Sequence, residues 1–162
     1  MDMNKLFHMQ QELDSYIQAQ HDLSGRNLFE DKVLALLVEL SELANETRCF
    51  KFWSIKGFSE RSVVLEEYVD SIHFLLSLGI VKNLTDFNEW NFKTSSDSLT
   101  TTFLKTNQAV LEFGQRPEMS TYIGLWNQYG TLAEKLGFSL QEIYNAYIEK
   151  NEKNYERQKT GY

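Results

Sequence analysis

The sequence predicts an all-α protein, a bundle of five to six helices, and three observations lead there. Apolar residues recur at three- and four-residue steps through most of the chain. A single proline, Pro117, among 162 residues leaves long segments uninterrupted. No segment alternates polar and apolar residues over the length a convincing strand needs. With 42% hydrophobic, 14% aromatic and 24% charged residues, the composition is that of a globular chain and excludes a disordered or fibrous one. The length favours one domain over 1–162, and no internal repeat is found.

Leu6, Met9, Leu13, Tyr16 and Ile17 share one side of a first helix over about 3–20. Residues 22–27 read as a turn, and the apolar density over 28–46 predicts a second helix. Residues 48–58 mix Arg48, Lys51 and Lys56 with Phe50, Phe52, Trp53 and Phe58, fit neither period, and read as a loop or broken helix. Ser59 or Ser62 is expected to cap a third helix that stops at Gly79. Within 80–98 a short helix is expected near Thr85, followed by a mobile polar connection at 93–98. A fourth helix covers 99–113. Pro117, in a first turn, starts a fifth that carries Ile123, Trp126, Tyr129 and Leu132 and closes at Gly137. Ser139 and Glu142 have capping-box spacing, so the last helix begins at Leu140 and runs past Tyr155.

Sixteen Lys+Arg against 23 Asp+Glu leave a net charge of −7, which disfavours general nucleic-acid binding and binding to anionic membranes. Cys49 is the only cysteine, so no internal disulfide and no Cys-based zinc site form. No signal-like start and no stretch of about 18 apolar residues is present, and a soluble cytoplasmic protein is expected.

Val33, Leu36, Leu37, Leu40, Leu43 and Ala44 line one side of the second helix, and Glu39, Glu42 and Glu46 the other. Such a stripe is ordinarily solvated surface. Here Leu34 and Val38 flank it, which predicts acids pointing into a groove. The third helix repeats the pattern, with Val64, Leu65, Tyr68, Ile72, Leu75 and Leu76 on the core side and Glu67, Asp70 and His73 opposite, beside Glu66 and Ser77. If the two helices are antiparallel neighbours, Glu39, Glu42, Glu67 and Asp70 converge, and four carboxylates at close range need a cation. An oxygen-only set suits a hard ion such as Mg²⁺. A di-iron carboxylate site is the nearest alternative, but the first acidic pair has no Glu-x-x-His step. The expected architecture is a four-helix core with acidic pairs on its two central helices.

A Mg²⁺ cluster beside Arg48, Lys51 and Lys56 suits phosphate ester chemistry on a polyphosphate, with Phe50, Phe52 and Trp53 offering an apolar face for a base. No G-x-x-x-x-G-K-[ST] loop is present. The run LVELSELANETRCFKFWS, followed after a spacer by LEEYVDSIHFLLSLG, resembles the dimeric dUTPase family, an all-α branch of the nucleoside triphosphate pyrophosphohydrolases related to MazG. The tail YIEKNEKNYERQKTGY is similar to the family's K-N-x-x-N-x-x-R-Q/E-x-G-Y segment. Gln10-Gln11-Glu12-Leu13-Asp14 is similar to its Q-x-x-L-N, departing from it at Asp14. The short middle region resembles the phage-borne members.

The resemblance implies Mg²⁺ held by Glu39, Glu42, Glu67 and Asp70, an attacking water oriented by Glu42 or Glu39, and hydrolysis of dUTP, with dUDP as a second substrate, to dUMP. It implies a uracil and deoxyribose pocket formed by Gln10 and the Phe52-Trp53 region, His73 near the sugar, and Lys51, Lys56, Asn154, Arg157 and Tyr162 at the phosphates, with 150–162 as a phosphate-binding tail. It further implies a homodimer whose sites are completed across subunits and, in some phage members, contact with a repressor of a mobile genetic element. A broad MazG-like pyrophosphohydrolase and a helical interaction protein remain the alternatives.

Overall fold

The computed structural model describes residues 1–161. Among them it contains six helices, α1 (Met3–Gln20), α2 (Phe29–Thr47), α3 (Arg61–Val81), α4 (Leu99–Gln115), α5 (Met119–Leu136) and α6 (Leu140–Lys159), and no strand. The all-α expectation holds, with the first, second, fourth and last helices within two residues of the expected bounds. α3 is central: it packs most extensively on α2 and also against α1 and α6, while α4 lies against α2 and pairs with α5. Its sequence permits this, because it is buried around most of its circumference, from Val64 through Tyr68, Ile72 and Leu76 on one side to His73 and Ser77 on another. Leu36, Leu40 and Leu43 of α2 are fully buried, each worth about 2 kcal/mol of apolar transfer.

Four local expectations are corrected. α3 does not stop at Gly79, which lies inside the helix where a Cβ would overlap the Tyr122 side chain. This glycine leaves room for the Tyr122 side chain reaching in from α5 and does not make a turn. Neither Ser59 nor Ser62 caps α3; Glu60 occupies the cap position, without a side-chain bond to the helix. Pro117 precedes α5 and its cap, Glu118, which forms a capping box with Thr121. No helix forms near Thr85. Phe87 and Trp90 are buried against α5 instead, Phe87 stacked on Trp126 at 5.4 Å and Trp90 Nε1 donating to the Trp126 carbonyl at 2.9 Å.

The 93–98 run carries three anchors. Lys135 Nζ donates to the Ser95 carbonyl, Asp97 pairs with Lys105, and Ser98 caps α4. Two expected signals hold: Gly137 ends α5 in the left-handed region at φ 73°, and Ser139 with Glu142 forms the capping box of α6. The 48–58 loop is non-helical, as expected, because Arg48 turns left-handed at φ 54° and its guanidinium donates to the Gly57 carbonyl.

Candidate metal centre and ligand cavity

Around α2 the buried stripe runs through Leu36, Leu40, Leu43 and Thr47. At about 100° per residue, Glu39 falls about 60° from Leu36 and Glu42 about 120°. That rotation separates the two acids. Glu39 sits in the seam with α3, half-buried, while Glu42 is exposed and lines a neighbouring groove with Glu46 and Glu67. On α3, Glu67 and Asp70 are partly buried and face the same seam.

Glu39, Glu67 and Asp70 each offer a carboxylate oxygen, and these oxygens lie within 4.8 Å of one another. Three of the four expected acids thus converge. Burial, then the charges of Asp70, Glu42 and Glu67, push the Glu39 carboxyl up to about 7. Burial, then Asp70, Glu42 and Glu46, raise Glu67. Asp70 is also raised by burial, with Lys150 opposing the shift. The like charges lack enough compensation from the protein itself, and the donors are all oxygen, so the set fits a hard divalent cation.

The cluster opens on a cavity of about 380 Å³ enclosed by α1, α2, α3 and α6. Its walls change character along their length. Glu39, Asp70, Lys150 and Arg157 form a charged part together with the neutral amide of Asn154, and Lys150, Asn154 and Arg157 stand at i, i+4 and i+7 of α6. Gln10, Asp14, Lys32, His73 and Ser77 form a hydrogen-bonded part flanked by apolar side chains such as Leu13 and Phe74. Lys32 Nζ bonds Asp14 at 3.0 Å and Ser77 at 2.5 Å, and the Ser77 hydroxyl also donates to Asp14. His73 is buried and stacked on Tyr147 at 4.3 Å. Burial, aided by the nearby Lys150 charge, lowers its ring to about 3, so the imidazole is neutral at ordinary pH.

Of the expected site residues, Gln10, Glu39, Asp70, His73, Asn154 and Arg157 line the cavity. Lys51, Phe52, Trp53 and Lys56 do not. They lie on the loop between α2 and α3, with Phe52 93% and Trp53 66% exposed. Tyr162 lies outside the described residues. Sequence reasoning did not select Asp14, Lys32 or Ser77 as site residues, and took in Lys150 only as part of the phosphate-binding tail, not as a partner of the acidic cluster. Spacing carried a signal for three of them: Lys32 precedes Glu39 by seven residues, Ser77 follows Asp70 by seven, and Asp14 follows Gln10 by four, each putting the pair on one helix side.

An acidic cluster at the edge of a partly open cavity, with cations along one wall of the same helical bundle, is an arrangement able to hold a divalent cation beside a polyphosphate. A family model described as dUTPase matches residues 2–162, and the chain belongs to that family, the dimeric all-α dUTPases. It is a hydrolase acting on dUTP. None of the curated proteins compared with it matches. No helix among the described residues is long and apolar enough to cross a membrane.

Proposed function

We propose that the chain, read as one domain over 1–162, hydrolyses dUTP to dUMP and pyrophosphate with Mg²⁺ held by Glu39, Glu67 and Asp70. The observation carrying this reading is the convergence of three carboxylates within 4.8 Å at the rim of a cavity that Asn154 and Arg157 also line. The ion, when bound, offsets phosphate charge and makes a water more acidic. Glu39 or Glu42 orients the attacking water. Asn154, Arg157 and Lys150 hold the polyphosphate, while Gln10 and His73 meet the nucleoside end.

A homodimer is part of this proposal. Leu34 is 63% exposed and Val38, one turn on, is 46% exposed on α2, apolar surface that a second copy would cover. The Lys51, Phe52, Trp53 and Lys56 loop, which does not line its own cavity, would serve the partner's. The test is pyrophosphate release across a nucleotide panel with and without Mg²⁺. Release from dUTP that needs Mg²⁺ and greatly exceeds that from dTTP, dCTP or UTP supports the reading. Equal turnover of all four points to a broad pyrophosphohydrolase instead.

A further inference from the structure

Lys150 brings the chain's own cation to the acidic cluster. Its Nζ donates to Asp70 Oδ2 at 2.8 Å and to Glu66 Oε1 at 2.9 Å, and its side chain is only 8% exposed. Asp70 belongs to the three converging carboxylates, whereas Glu66 does not and is 44% exposed. The lysine therefore bridges one acid inside the cluster and one outside it. An ammonium and a divalent ion on the same Asp70 carboxylate compete for its negative charge and repel each other strongly at this range. Glu66 makes an exchange feasible, because an ammonium that gives up Asp70 keeps a charged partner and is not left stranded in a buried position. It also stays on the α6 side that carries Asn154 and Arg157 into the cavity.

We infer that Lys150 is an exchangeable internal counter-cation of the cluster. It holds Asp70, and with it α6 against α3, when no divalent ion is present. It yields Asp70 to the ion when one binds, pivoting on Glu66 towards the polyphosphate. The inference rests on the metal-centre reading above. By linkage, ion binding and the Lys150–Asp70 pair weaken each other equally.

Amine-reactive labelling of the full-length wild-type protein, read by peptide mass with exposed Lys153 as internal reference, tests this directly. Mg²⁺ binding is followed in parallel by calorimetry. Lys150 is expected to label slowly without Mg²⁺ and severalfold faster at saturating Mg²⁺, and Lys150→Gln is expected to bind Mg²⁺ about tenfold tighter or more. If Mg²⁺ binds but Lys150 labelling is unchanged, or Lys150→Gln binds it no tighter, the counter-cation role is overturned and the metal-centre reading stands. If the wild type binds no Mg²⁺, the metal-centre reading itself fails. Should Lys150→Gln not fold, the wild-type labelling alone decides.

Discussion

Gln10 and His73, 63 positions apart, share a buried bond of 2.8 Å between Oε1 and Nδ1. Its polarity is set from the far side. Gln10 Nε2 donates to the Asp14 carboxylate at 2.8 Å, so Oε1 faces His73, and an amide oxygen only accepts. Nδ1 therefore carries the ring hydrogen. Tyr147 donates to the same oxygen at 2.9 Å, and Lys32 and Ser77 hold Asp14 in turn. Residues from α1, α2, α3 and α6 thus fix one imidazole tautomer in the cavity wall.

This arrangement has a pH signature. The unfolded ring takes a proton near 6.5 and the folded ring only near 3, so between those values the unfolded state binds more protons and stability falls as pH drops. Glu39 acts in the opposite sense: its folded value of about 7 lies above 4.5, and stability rises as pH falls through that window. The wild-type profile should therefore be flatter than either contribution alone. Relative to wild type, His73→Gln should gain about 2 kcal/mol between pH 7 and pH 5. Urea unfolding at both values in EDTA checks it, and a constant difference between the two proteins would refute the buried neutral ring.

Glu39→Gln should raise the melting temperature at pH 8 in EDTA, because it removes a half-buried charge repelled by Asp70, Glu42 and Glu67. The same variant should lose the stabilisation that saturating Mg²⁺ gives the wild type. Thermal unfolding with and without Mg²⁺ reads both effects. An unchanged Mg²⁺ shift would show that the ion binds elsewhere.

Gly79→Ala should destabilise by about 1–3 kcal/mol, since the new methyl meets the Tyr122 side chain, whose hydroxyl donates to the Leu75 carbonyl at 2.9 Å. Tyr122→Phe removes the nearest clashing atom, so the double variant should be more stable than the sum of the single effects predicts. Strict additivity in denaturant melts would mean that the helices separate to relieve the overlap.

Leu34→Glu with Val38→Glu should leave the helices intact by circular dichroism yet shift the protein to a monomer in sedimentation, because both side chains are exposed on α2. A wild type that sediments as a monomer would remove the proposed second copy.

The helices were legible because their determinants are local. The spacing of Leu36, Leu40 and Leu43, the Ser139 and Glu142 capping box and the left-handed Gly137 all act within a few residues. Gly79 misled because its role depends on Tyr122, 43 residues away, and a helix-ending glycine looks the same in sequence. The Thr85 region misled because Phe87 and Trp90 are held by α5, a tertiary preference that overrides local propensity. In the candidate site, the acidic pairs stood out through their spacing, but which acid of the α2 pair faces α3 and which faces solvent depends on where α3 packs. Lys32 and Lys150 look like any surface lysine until their carboxylate partners from other helices are in place.

Whether Glu39, Glu67 and Asp70 hold the ion serving dUTP hydrolysis is decided by the rate of Mg²⁺-dependent pyrophosphate release from saturating dUTP, comparing folded Asp70→Asn with wild type. Asp70→Asn should lose about a hundredfold or more of the rate and need more Mg²⁺. An Asp70→Asn protein that turns over dUTP at the wild-type rate, with the same Mg²⁺ dependence, would contradict that assignment.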